Sequence, residues 1–327
     1  MANGYPFVIP ALSRDPCFCF ACVCWIPHQV RDDVWHLGSK KLENVVFSFC
    51  TSLSLHYLCT TIEIHTCVVM KKYLLDLTVT ENVRLHAHYV LLKLTCPQEL
   101  PEMLPGQFAE IRVDGSPTTF LRRPISINYV DRQRNEVWFL IQLVGDGTKR
   151  LGEAKAGDVI NVVLPLGNGF TMPEKASDKL LLVGGGVGTA PMLYLGEQLL
   201  KRGCRPTFLL GARSDKDLLQ LDQFAAYGDI YTTTEDGSHG EKGFVTQHSI
   251  LEQVKFEHIY TCGPKPMMMA VARYAKAKGI ECEVSLENMM ACGVGACLCC
   301  VENTTEGHLC VCKEGPVFNI NRLLWQI

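Results

Sequence analysis

The run Cys292-Gly293-Val294-Gly295-Ala296-Cys297-Leu298-Cys299-Cys300, followed by Cys312, constrains this chain more than any other stretch. Cys292, Cys297 and Cys300 reproduce the C-x4-C-x2-C spacing, with one later cysteine, of a plant-type [2Fe-2S] site. Small residues between the first two thiolates let the backbone wrap closely round a cluster and aim amide N–H groups at its sulfurs. A structural zinc knuckle is the competing reading, but it prefers closely paired cysteines at both ends of the site, which the x4 interval does not supply. The spacing after Cys297 selects Cys300 over Cys299. Cys310 and Cys312 share strand parity, so alternation leaves the last ligand open between them.

A chain of 327 residues is long enough for two or three compact units. Its net charge of −3, with no basic block or stripe, supplies no phosphate-neutralising surface and argues against nucleic-acid binding. The 17 cysteines are bunched at the two ends, which points to metal or redox work in a reducing, cytoplasmic setting rather than to disulfides. Residues 17–30 carry Pro27 and His28 and lack a basic lead-in, unlike a signal peptide. The apolar stretch at 45–59 is interrupted by Ser48, Thr51, Ser52, Ser54 and His56 and is short of a membrane span.

Residues 1–69 hold Cys17, Cys19, Cys22, Cys24, Cys50, Cys59 and Cys67 with little periodicity, and the character changes abruptly at Met70. The expectation is a spurious or disordered extension ahead of the true start; a zinc or second cluster site on Cys17, Cys19, Cys22 and Cys24 is the functional alternative. From Leu74 to about Phe170 short β-rich runs (74–80, 90–95, 108–113, 125–130, 137–143, 158–164), broken by turn residues, predict a small antiparallel barrel. Beyond Pro173 strands at 179–183, 206–211, 229–233 and 258–261 alternate with helices at 191–202, 216–226, 244–253 and 266–278. That rhythm predicts a doubly wound parallel sheet.

Three further constellations carry chemistry. In Leu121-Arg122-Arg123-Pro124-Ile125-Ser126 an arginine can pair with a pyrophosphate and a serine three residues on can meet a flavin edge, although such a pair is also an ordinary solvated turn. Gly184-Gly185-Gly186-Val187-Gly188-Thr189-Ala190-Pro191 lies between a buried strand and a helix, where glycines bring backbone N–H groups to a pyrophosphate. Cys262-Gly263-Pro264 ends the last strand at the carboxyl edge of the sheet, where α/β proteins bind ligands; a buried structural cysteine is the plainer alternative.

Taken in order, these motifs resemble the ferredoxin-NADP reductase superfamily with an added [2Fe-2S] domain. Within it, the segments 121–127 (LRRPISI), 165–170 (PLGNGF), 184–191 (GGGVGTAP), 261–267 (TCGPKPM), 290–297 (MACGVGAC) and 312–318 (CKEGPVF) resemble electron-transfer subunits of dihydroorotate dehydrogenase B. The resemblance covers Met70 to the C-terminus. It implies a mixed β and α/β architecture: an antiparallel FAD-binding β-barrel (70–172), a doubly wound parallel-sheet NAD-binding domain (173–283) and a small C-terminal [2Fe-2S] domain (284–327).

By motif it implies FAD contacts at Arg123, Pro124, Ile125 and Ser126, then Leu140, Ile141 and Gln142, then Gly147 and Thr148. It implies NAD contacts at Gly184, Gly185, Gly186, Gly188, Cys262, Gly263 and Pro264, and cluster ligation by Cys292, Cys297, Cys300 and Cys312. Ile141-Gln142 departs from the tyrosine and arginine common in the family. The implied activity passes electrons between NAD and the FMN of a catalytic subunit through FAD and the cluster, in pyrimidine (UMP) biosynthesis. The implied assembly is a heterotetramer with two of each subunit, with no catalytic residue for dihydroorotate on this chain. The rivals are the small subunit of a ferredoxin-NADP reductase or sulfide dehydrogenase, and a zinc-stabilised binding module without redox activity. Preference between NAD and NADP rests on the resemblance, with Asp215 and Asp217 opposing the extra phosphate that Arg213-Ser214 could hold.

Overall fold

A computed structural model describes residues 71–327. The chain divides into two units, Met1–Val68 and Val69–Ile327, and every described residue belongs to the second. The expectations for residues 1–69, including a site on Cys17, Cys19, Cys22 and Cys24, lie outside the described residues.

Seven antiparallel strands come first: β1 (Tyr73–His86), β2 (Tyr89–Thr95), β3 (Phe108–Ile111), β4 (Arg123–Ser126), β5 (Tyr129–Asp131), β6 (Glu136–Gln142) and β7 (Val159–Leu166). Their order is β4-β3-β7-β1-β2-β6-β5, so the sheet ends are two strands adjacent in the chain. The expected single strand at 125–130 is in fact this corner. Ile127 N donates to Gln107 O at 3.0 Å and Asn128 N to Trp138 O at 2.9 Å, which ties the two ends together and curls the sheet into a barrel.

The inner face of the barrel is filled by alternate residues, as the two-residue period of a strand requires. Val90, Leu92 and Leu94 of β2 and Val137, Phe139 and Ile141 of β6 point inward. The intervening Tyr89, Leu91 and Leu140 are also buried, because they pack outside the barrel against Ala190 and Leu219 of the second domain. This two-sided burial explains why β2 reads as a continuous apolar run. Each such side chain contributes roughly 1.5–3 kcal/mol on burial, enough to fix the two domains against each other.

The second sheet has order β11-β10-β9-β8-β12-β13-β16, from β8 (Leu180–Gly185), β9 (Thr207–Ala212), β10 (Asp229–Thr234), β11 (Glu241–Lys242), β12 (His258–Cys262), β13 (Glu281–Ser285) and β16 (Val317–Asn319). All pairs are parallel except β13 with β16, which are antiparallel. The helices are α1 (Asp146–Leu151) in the barrel, then α2 (Ala190–Lys201), α3 (Leu221–Ala225), α4 (Ile250–Gln253), α5 (Lys265–Lys278) and α6 (Val311–Glu314).

Two expected helices are shorter than their patterns suggested. The 216–226 stretch is broken at Gln220, which sits at φ 59°, and only Leu221–Ala225 is α-helical. The Gln220 side chain instead exchanges hydrogen bonds of 3.1 Å with Asn128 of the barrel corner, a tertiary contact that overrides the local preference. The 244–253 stretch is broken at His248, whose Nδ1 accepts from Ile250 N at 3.0 Å.

The C-terminal segment is a loop, a hairpin of β14 (Val301–Thr304) and β15 (Gly307–Cys310), then α6 and β16. Through β16 it joins the edge of the parallel sheet, so the cluster segment is sewn into the nucleotide domain rather than appended to it. Among the described residues no helix is long and apolar enough to cross a membrane.

Candidate functional site

Two cavities meet along the line where the barrel faces the parallel sheet. The first, of about 680 Å³, is lined by Arg123, Pro124, Ile125, Ser126, Leu140, Gln142, Gly147 and Thr148, eight of the nine residues expected to hold FAD. The ninth, Ile141, turns its side chain into the barrel core, because it shares the inward parity of Phe139. The arginine pair is divided in its work. Arg122 donates to Glu110 O at 3.3 Å and Asn161 O at 3.0 Å, tying β3 to β7. Arg123 faces the cavity, its guanidinium steadied by Leu121 O at 3.1 Å and Arg122 O at 3.0 Å. Thr118, Thr119 and Phe120 also line this cavity; they stand in an irregular segment with no motif to mark them.

The second cavity, of about 1000 Å³, is lined by Gly185, Gly186 and Gly188 of the turn after β8 and by Gly263 and Pro264 after β12. Gly188 has no room for a side chain: a Cβ there would lie 2.4 Å from the Cα of Gly263. The glycine thus lets the two loops close against each other and form one continuous backbone floor. Gly184 lies one residue deeper, packed under Thr189, and does not reach the cavity. Cys262 is likewise buried behind the floor, its Sγ 3.9 Å from Glu287 Oε1, with burial pushing the thiol well above its ordinary range. Gln142, Val187 and Glu287 line both cavities, so the two share a wall.

The first cavity continues towards the cysteines. Met290, two residues before Cys292, lines it, as do Phe108 and Pro316. Amides of the loop aim at the sulfurs: Val294 N, Ala296 N and Cys297 N lie 3.5, 3.3 and 3.4 Å from Cys292 Sγ. Gly295 N lies 3.1 Å from Cys312 Sγ, and Cys312 N is 3.4 Å from Cys300 Sγ. Desolvation opposes ionisation of Cys292, but those amides outweigh it and bring the thiol down to about 6. Burial, then the neighbouring Cys300, pushes Cys312 up to about 12.

Donors aimed at thiolate sulfur are the contacts expected around a thiolate-ligated cluster, so the residues present fit the group. Among the described residues no three His, Cys, Asp or Glu side chains close on one point as ligands of a single ion would. Gly293, at φ 66°, lets the loop pass over Glu110, whose Cγ would lie 2.6 Å from a Cβ at that position. Glu110 went unnoticed in the sequence. Its carboxyl is buried without a hydrogen-bond partner, and desolvation, against the pull of Arg123 and Arg122, raises it to about 7.

With this geometry in place, the similarity to known proteins is specific. The iron-sulfur cluster binding domain of dihydroorotate dehydrogenase B matches residues 287–324, and an oxidoreductase NAD-binding domain matches residues 182–273. The dihydroorotate dehydrogenase B (NAD(+)) electron transfer subunit of Shouchella clausii (strain KSM-K16) is 40% identical over 226 residues, covering 67% of this chain and 86% of that protein. The corresponding subunit of Bacillus cereus (strain Q1) is 38% identical over 263 residues, 78% of this chain and 100% of that protein. Among solved structures, the NADH-dependent reduced ferredoxin-NADP oxidoreductase superposes with a TM-score of 0.68 at 28% identity, covering 76% of this chain and 90% of that one. The ferredoxin reductase in carbazole 1,9a-dioxygenase shares the fold, with a TM-score of 0.55 at 21% identity over 65% of this chain and 68% of that one.

Proposed function

Since the chain belongs to the family of dihydroorotate dehydrogenase B electron-transfer subunits, we propose that its two cavities and its cysteine loop form one conduit, from NAD to FAD to a [2Fe-2S] cluster to the catalytic subunit. The single observation that carries this order is the shared wall. Gln142, Val187 and Glu287 belong to both cavities, while Met290 joins the first to the loop of Cys292. When bound, FAD supplies the exchange between two-electron transfer with the nicotinamide and one-electron transfer with the cluster.

The chain's own residues bind and orient. Arg123 offers its fork to the FAD diphosphate, and Ser126, at the far end of β4, offers a hydroxyl to the flavin. The glycine turn and the Gly263-Pro264 turn present backbone to the dinucleotide. Cys292, Cys297, Cys300 and Cys312 ligate the cluster, and the loop amides stabilise their charge. Cys297 is the exposed member of the four, which gives the cluster a route to a docked partner.

The stoichiometry we infer is two of each subunit, and the setting cytoplasmic, supported by the need of thiolate ligands for reducing surroundings. Anaerobic addition of NADH to the loaded chain tests this reading. It predicts bleaching of the flavin absorbance, followed by the EPR signal of a reduced [2Fe-2S] cluster. Flavin bleaching with a silent cluster would break the proposed order.

A further inference from the structure

The turn between β1 and β2 lies in the dinucleotide cavity although it belongs to the barrel and stands outside the residues that match the NAD-binding domain. His86, His88 and Tyr89 all line that cavity, facing the same space as Gly185, Gly186 and Gly188. The turn is held firmly. His86 pairs with Tyr89 across it, and His88 O accepts from Leu143 N at 2.8 Å. Tyr89 packs with Leu91 against Ala190, and its hydroxyl accepts from Gln142 Nε2 at 3.2 Å. Burial raises the Tyr89 phenol above its ordinary range, Asp217 raising it further and Arg213 opposing, and both of those residues line the same cavity.

Cationic side chains are scarce in the lining of this cavity. Arg213 is the single Lys or Arg among the lining residues, against the carboxylates Asp217, Glu235 and Glu287. A dinucleotide brings a diphosphate with two further negative charges. Backbone amides of the glycine turn can meet part of it, and the imidazoles of His86 and His88 add side-chain nitrogen donors to the same lining. Nδ1 of His86 is buried without a hydrogen-bond partner, which leaves Nε2 as the ring nitrogen within a ligand's reach. The ring centroids of His86 and His88 are 5.7 Å apart, so both can address one diphosphate.

We propose that the β1–β2 turn is a second dinucleotide-binding element, in which His86 and His88 donate hydrogen bonds to the NAD diphosphate beside the glycine turn. The proposal rests on the reading of this cavity as the NAD site. A hydrogen bond to a charged group contributes about 1.5–3 kcal/mol, and 1.4 kcal/mol corresponds to tenfold in affinity. Titration calorimetry of ADP-ribose into the FAD- and cluster-loaded chain measures binding without hydride transfer.

His86→Ala/His88→Ala is expected to weaken ADP-ribose about tenfold or more and to raise the KM for NADH by a similar factor, with a smaller fall in kcat for ferricyanide reduction. His88→Lys, which keeps a nitrogen donor at the tip of the turn, is expected to stay within about threefold of the parent. ADP-ribose affinity within twofold of the parent in the double variant, while Arg213→Ala weakens it, overturns the role of the turn and leaves the cavity standing. Failure of the parent chain to bind ADP-ribose overturns both. If the double variant loses FAD, His88→Ala alone decides, because His88 is exposed at the tip of the turn; an effect below about twofold then refutes the proposal.

Discussion

Replacing Gly293 by alanine tests how tightly the cysteine loop is bound to the flavin barrel. The glycine sits at φ 66°, and its missing Cβ would fall 2.6 Å from Glu110 Cγ and 3.1 Å from Leu166 Cδ1. A non-glycine residue in the left-handed region costs about 1–2 kcal/mol. Overpacking against a buried strand adds about 1–3 kcal/mol, so the total is about 2–5 kcal/mol, concentrated in the loop that carries Cys292. The two contributions separate in a double-mutant cycle with Glu110→Ala, which removes the Cγ but leaves the backbone strain. The assay is iron and acid-labile sulfide per chain, together with Tm, for the parent, both single variants and the double. Gly293→Ala is expected to lose or loosen the cluster while retaining FAD, and Glu110→Ala is expected to restore part of that loss. Full cluster content and unchanged Tm in Gly293→Ala would refute the close packing of loop on barrel. Equal damage in both backgrounds would refute the role of Glu110 as the obstruction.

Three further outcomes are expected. Arg123→Ala should weaken FAD retention about tenfold or more with little loss of folding, since the fork that faces the cavity supplies charge-assisted hydrogen bonds; unchanged FAD affinity by fluorescence titration would remove Arg123 from the site. Cys312→Ser should lose the cluster or leave it labile by EPR of dithionite-reduced protein, while Cys310→Ser and Cys299→Ser keep it; loss in Cys310→Ser with retention in Cys312→Ser would reverse the choice of fourth ligand. Glu110, raised from 4.5 to about 7, binds its proton more tightly folded than unfolded, so stability of the iron-free chain should fall as pH rises from about 4.5 to about 7. Glu110→Gln should flatten that part of the urea-denaturation profile, and an unaltered profile would contradict the assignment.

What the sequence made legible is what local chemistry writes. The cluster spacing, the glycine turn and the arginine-to-serine strand each need particular residues at short range, and the cavities gather most of them. Alternation along β6 is equally local: Val137, Phe139 and Ile141 face inward together, which sets Ile141 apart from the flavin contacts that the family resemblance implied. The break at Gln220 is not local, because its cause is Asn128, 92 residues away. His86 and His88 sit in an ordinary hairpin turn, and only the docking of the barrel on the second domain brings them into the lining of the second cavity. Glu110 left a faint signal, an acidic residue inside the buried strand Phe108–Ile111, whose partner loop lies far along the chain.

The central claim is that this chain relays electrons between NAD and a catalytic subunit through its own cluster. The most direct measurement is dihydroorotate-dependent NAD reduction by the chain co-purified with its candidate catalytic subunit, in parent and Cys312→Ser forms. The account predicts NADH formation by the parent complex, and loss of it in the variant despite retained FAD and retained NADH oxidation by ferricyanide. Undiminished dihydroorotate-dependent NADH formation by a variant complex shown to lack the cluster would contradict it.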